Sequence, residues 1–113
     1  MKYVMLIMNT EAADKLTAEE QQAWSAEVMA WYEKNATTGV IADGGAQLQP
    51  PDTAKTVRAS GVTDGPFIES KEVLGGYTVL EAKTIDEAVA VAQSWPGVNR
   101  GLITMELRPV VVF

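Results

Sequence analysis

Six consecutive apolar residues near the start of the chain, Tyr3-Val4-Met5-Leu6-Ile7-Met8, constrain its fold more than any other feature. The run is short and stops at Asn9-Thr10, so it reads as a strand buried on both faces. A chain of 113 residues has helices enough to cover one of those faces and little left for the other. The second face therefore calls for a second copy, and a homodimer is expected.

The rest of the chain supplies the cover. Thr17 to about Thr38 reads as a helix, with Thr17 and Glu20 at capping-box spacing and Gly39 placed to end it in a left-handed conformation. Trp24, Val28, Trp31 and Tyr32 recur at helical spacing and form its apolar stripe. A second helix is expected from Thr84 to Ser94, with another capping box at Thr84 and Glu87. Ile85, Ala88, Val89, Ala92 and Trp95 form its buried stripe, and Pro96-Gly97 stops it. Strands are expected at Val40–Ala42, Lys55–Ala59, from Val62-Thr63, at Val73–Ala82 and at Leu102–Arg108. In the last of these, Thr104, Glu106 and Arg108 face away from the helices. The order is strand, helix, strand, hairpin-rich insert, strand, helix, strand. It suits one α+β domain over 1–113: a ferredoxin-like split βαβ arrangement, with both helices on one face of a mostly antiparallel sheet.

Composition excludes much chemistry. The net charge is −6 and no basic run occurs, which disfavours nucleic acid and anionic membrane surfaces as partners. The apolar N-terminus is too short to span a membrane and lacks a signal-peptide cleavage pattern, so a cytoplasmic protein is expected. There is no cysteine and no histidine. Thiolate and His-dependent nucleophilic mechanisms are excluded, together with the usual zinc ligands. No metal site and no particular cofactor is indicated. Proton transfer by a carboxylate, as in an isomerase or lyase step, remains open.

The segment from Val62 to Tyr77, VTDGPFIESKEVLGGY, resembles the signature of the YCII-related, DGPF-domain family. The start Met1-Lys2-Tyr3, the Gly44–Pro51 segment and Leu107-Arg108-Pro109 resemble the family's corresponding parts, so the likeness covers essentially the whole chain. The resemblance implies a ferredoxin-like fold that dimerises sheet to sheet into a dimeric α+β barrel. Some relatives carry a His and an Asp proposed as a catalytic pair. With no histidine here, that pair cannot be carried over, and a fold does not supply a function.

Candidate site residues follow from the same region, each with a plainer alternative. Asp64 is either a general base or polar anchor at a cleft, with Phe67 a ligand-binding candidate beside it, or the first residue of a turn whose Phe67 anchors the loop in the core. Glu69, Lys71 and Glu72 are either a solvated charge run or a site in which Lys71 meets an anionic group. Asp43, beside Gly44-Gly45, is either part of a strand bulge or a second carboxylate near Asp64. Gly75-Gly76 marks a bulge or a close approach, and Tyr77 is a candidate hydrogen-bond donor. Trp24, Trp31 and Trp95 are core residues or an aromatic platform for a ligand. Two functions remain: a small-molecule enzyme or ligand-binding protein with a cleft between the sheet and Asp64–Tyr77, or a non-catalytic dimerising module that regulates or scaffolds a partner.

Overall fold

The computed structural model describes residues 1–67 and 71–113. Its main sheet has four strands: β1 (Lys2–Asn9), β2 (Ile41–Gln47), β5 (Val73–Glu81) and β6 (Ile103–Pro109), in the order β2-β5-β1-β6. Every neighbouring pair is antiparallel. Helix α1 (Glu11–Asp14) is one turn long, α2 (Ala18–Asn35) joins β1 to β2, and α3 (Ile85–Gln93) joins β5 to β6. Each longer helix thus links two strands that have a third lying between them, which is the ferredoxin-like arrangement. The insert folds as a separate two-stranded hairpin, β3 (Lys55–Arg58) with β4 (Gly61–Asp64).

Local chemistry accounts for these bounds. The Thr17 hydroxyl accepts from the Glu20 N–H, and the Glu20 carboxylate accepts from the Thr17 N–H, so α2 begins in a complete capping box. Those two bonds hold the Glu20 carboxyl below its ordinary range, the one to the Thr17 backbone contributing most. Alanine, glutamate and glutamine carry the helix forward, and Gly39 adopts φ +83° after it. At α3 the expected box forms only in part. Thr84 accepts from the Glu87 N–H, but the Glu87 carboxylate takes the Lys83 N–H instead of that of Thr84.

The core lies between the sheet and the two longer helices. Strand alternation sends Tyr3, Met5 and Ile7 to the helix side, where Leu80, Thr78 and Gly76 stand opposite them, and all six are buried. Trp24 and Trp31 of α2, Ala88 and Ala92 of α3, and Trp95 complete this layer. Ile85 and Val89 depart from expectation. They are 40% and 38% exposed, because they sit beside the edge strand β6 rather than over the centre of the sheet.

No helix of the described residues covers the opposite face, where the Thr104 hydroxyl donates to the Glu72 carboxylate at 3.0 Å. Val4, Leu6 and Met8 of β1 share it with Val79, Tyr77 and Leu74 of β5. Thr104 and Glu106 lie on it, half-buried, with Arg108 at its exposed margin. The molecule measures 45 × 43 × 19 Å, about the thickness of one sheet and one helical layer.

Candidate functional site

A cleft of about 520 Å3 opens on the helix side of the sheet. One wall is α2, through Gln21, Trp24, Ser25, Val28, Met29 and Tyr32. The other is backbone-rich and consists of Gly44–Gln47 of β2 and Gly75–Tyr77 of β5. Glycine makes this wall possible. A Cβ on Gly45, which has φ +72°, would fall 1.8 Å from the Tyr77 carbonyl oxygen, and one on Gly76 would fall 2.7 Å from the Ala46 carbonyl oxygen. The two strands approach so closely that no larger residue fits. Gly75 is the extra residue of a bulge, since Ile7 faces Gly76 while Met8 faces Leu74.

Aromatic rings and a polar relay form the inner end. Trp24 and Trp95 pack edge to face at 6.4 Å, as do Tyr32 and Trp95 at 6.5 Å. The Trp95 indole donates to the Tyr32 hydroxyl at 3.3 Å, and that hydroxyl lies 2.6 Å from the Thr78 hydroxyl. Thr78, fully buried, donates to the Gly44 carbonyl at 3.1 Å. The Trp24 indole donates to the Pro96 carbonyl at 2.9 Å.

Among the described residues, Asp14 is the one carboxylate that lines the cleft, and no lysine or arginine lines it. The aspartate is held there by a pinned turn. The Thr10 hydroxyl and N–H donate to the Gly101 and Leu102 carbonyls, and Ala13 is the buried residue of α1.

The residues singled out from sequence mostly lie elsewhere. Asp64 is on the separate hairpin, its side chain 84% exposed and ion-paired with Lys55. Phe67 does not anchor its loop in the core. It is 70% exposed, with the Arg58 guanidinium 5.2 Å from its ring centroid, because the hairpin stands clear of the helices that would bury it. Lys71 is exposed, and Glu69 lies outside the described residues. Asp43 accepts from the Gly45 N–H at 2.8 Å within an irregular stretch of β2 and stands opposite Val79 on the uncovered face. Tyr77 borders the cleft through β5, yet its register opposite Leu6 assigns its side chain to the uncovered face. Among the described residues, no group of three or more carboxylates comes together as metal ligands. No helix there is long and apolar enough to cross a membrane.

Sequence reasoning missed Asp14 and Tyr32 as cleft residues. Asp14 sits in a helix too short to show a period, and Tyr32 reads as one more core position on its stripe. The aromatic-platform reading of Trp24 and Trp95 was the available signal.

Comparison with known proteins agrees with this architecture. The family model for the YCII-related domain matches residues 1–113. An uncharacterised protein of Rhizobium meliloti strain 1021 is 30% identical over 118 residues, covering 100% of this chain and 94% of its own length. Among solved structures, 5-chloro-2-hydroxyhydroquinone dehydrochlorinase from Burkholderia phenoliruptrix AC1100, in complex with 2,5-dihydroxybenzoquinone, is similar with a TM-score of 0.59. The likeness covers 100% of this chain and 96% of that one at 16% identity. At that identity it shows the shared fold, that of the dimeric α+β barrels.

Proposed function

Because this chain belongs to the YCII-related domain family, we propose that it is a homodimer, joined through the open sheet face, whose α2–sheet cleft binds a small flat organic molecule. The cleft carries the proposal. Its volume of about 520 Å3 lies within the roughly 300–1,000 Å3 usual for small-molecule pockets. Its inner end is aromatic and its rim polar, which suits a ring bearing a few polar substituents. The dehydrochlorinase of the same fold, solved with a dihydroxyquinone, supports a ligand of that shape. Among the described residues Asp14 is the one carboxylate that lines the cleft, so proton transfer by a carboxylate there would run through it.

Surface area supports the dimer. The accessible surface is 7836 Å2, whereas a folded monomer of this mass exposes about 6,100 Å2. The radius of gyration is 15.3 Å, against about 13 Å for a compact chain of this length. The excess surface, about 1,700 Å2, exceeds the roughly 800 Å2 that each partner buries in a standard interface. The apolar residues of the open face are the ones such contact would cover.

Titration with hydroquinone, followed by Trp24 and Trp95 fluorescence, tests the cleft. A saturable change in the wild-type protein that disappears in Ser25→Trp is expected. Absence of saturation in the wild type would remove the ligand-binding reading. The position of Asp64, exposed and paired with Lys55 away from the cleft, favours the second reading, a dimerising module without a ligand. That reading predicts twice the 12.2 kDa chain mass in light scattering with no ligand response.

A further inference from the structure

The donors around the inner end of the cleft are already committed. An indole nitrogen only donates and a carbonyl oxygen only accepts, so the two ends of the chain Trp95–Tyr32–Thr78–Gly44 have fixed polarity. Three hydrogens are available for three contacts. Only one assignment satisfies all of them: Trp95 donates to Tyr32, Tyr32 to Thr78, and Thr78 to the Gly44 carbonyl. Reversing the middle bond would leave the Thr78 and Gly44 oxygens facing each other, 3.1 Å apart, with no hydrogen between them. Tyr32 therefore spends its hydrogen internally and keeps one lone pair. Trp24 likewise gives its hydrogen to Pro96.

What remains for a ligand is biased toward accepting. Asp14 accepts when ionised, and Tyr32 accepts; Asn9, Gln21, Ser25 and Gln47 can do either. We infer that the cleft selects ring compounds bearing hydroxyl donors over carbonyl analogues of the same size, and that the buried Thr78 sets this preference by holding the Tyr32 hydrogen. Thr78 is a positioning residue: it does not line the cleft, and it acts through Tyr32. The inference rests on the cleft being a ligand site and adds the polarity of what enters it. An acceptor-only ligand would place its oxygen against the Tyr32 lone pair, with no hydrogen between the two.

Calorimetric titration with hydroquinone, kept reduced under nitrogen, and with 1,4-benzoquinone tests this pair of matched size. The chain has no cysteine, so thiol addition to the quinone does not intervene. The wild type is expected to bind hydroquinone about tenfold or more tighter than benzoquinone. Thr78→Ser keeps the relay and should keep that ratio. Thr78→Val frees the Tyr32 hydrogen to face the cleft and should bring the ratio to unity or below. Should Thr78→Val fail to fold, Tyr32→Phe removes the accepting oxygen and should also lower the ratio toward unity. Equal or tighter wild-type binding of benzoquinone, or an unchanged ratio in the folded Thr78→Val or Tyr32→Phe protein, overturns the inference while leaving the cleft as a ligand site. If neither compound binds the wild type, the cleft reading and this inference fall together.

Discussion

The two faces of one strand show how differently the same kind of residue is used. On β1, Tyr3, Met5 and Ile7 are 3%, 0% and 8% exposed beneath the helices, while Val4, Leu6 and Met8 on the other face remain half-buried. Both sets are large and apolar, and nothing in their composition separates them. Their fates differ because α2 and α3 both cross on the same side. The lesson is that an apolar strand residue does not record which side it faces; topology decides which face the chain's own helices cover.

The most forceful way to break this comparison is to charge the uncovered face. Leu6→Asp would bury one unpaired carboxylate per copy, at several kcal/mol each. The affinity of the proposed dimer should fall by about 100-fold or more, read as a halved mass in light scattering with the helical circular dichroism retained. A mass unchanged from the wild type would show that this face is not the interface.

Truncating the covered face should do the reverse. Met5→Ala leaves a cavity against Leu80 and Thr78 and should cost about 2–5 kcal/mol of stability. Denaturant melting should register that loss while the oligomeric state at working concentration stays as in the wild type.

The smallest effect sharpens the comparison at its helical side. The Glu20 carboxyl, accepting from the Thr17 backbone and side chain, is held below its ordinary value of 4.5. A depressed folded pKa means stability fully present above the unfolded value and lost as pH falls through the folded one. Glu20→Gln should therefore flatten the melting temperature against pH below about 4.5 and barely change it at pH 7. An acid slope identical to that of the wild type would contradict the capping assignment.

Much of the architecture was legible because it rests on local rules. Thr17 and Glu20 announced a helix start through three-residue spacing, whereas its end was read too late: α2 stops at Asn35, capped by Ala36, and Gly39 turns the chain only after that. Gly75-Gly76 announced a bulge, since a strand interior tolerates such a pair only where backbones crowd or slip. The candidate site was far less legible. Asp64 and Phe67 stand out in the chain but project from a hairpin away from the core. Tyr32 and Asp14 look ordinary and come to line one cleft only after β1, α1 and α2 have packed.

By itself the sequence determined the two longer helices and where they start, the long strands, and that His and Cys side chains are absent. These are properties of neighbouring residues and of composition, carried by hydrogen-bond spacing and apolar period. Only the tertiary structure decided which face the helices cover, that β2 and β5 approach closely enough to form a glycine wall, and that the hydrogens of Trp95, Tyr32 and Thr78 run in one direction. Those outcomes join residues far apart in the chain, 63 positions in the Trp95–Tyr32 bond. No local preference encodes them, because a buried donor takes whichever acceptor the folded chain brings to it.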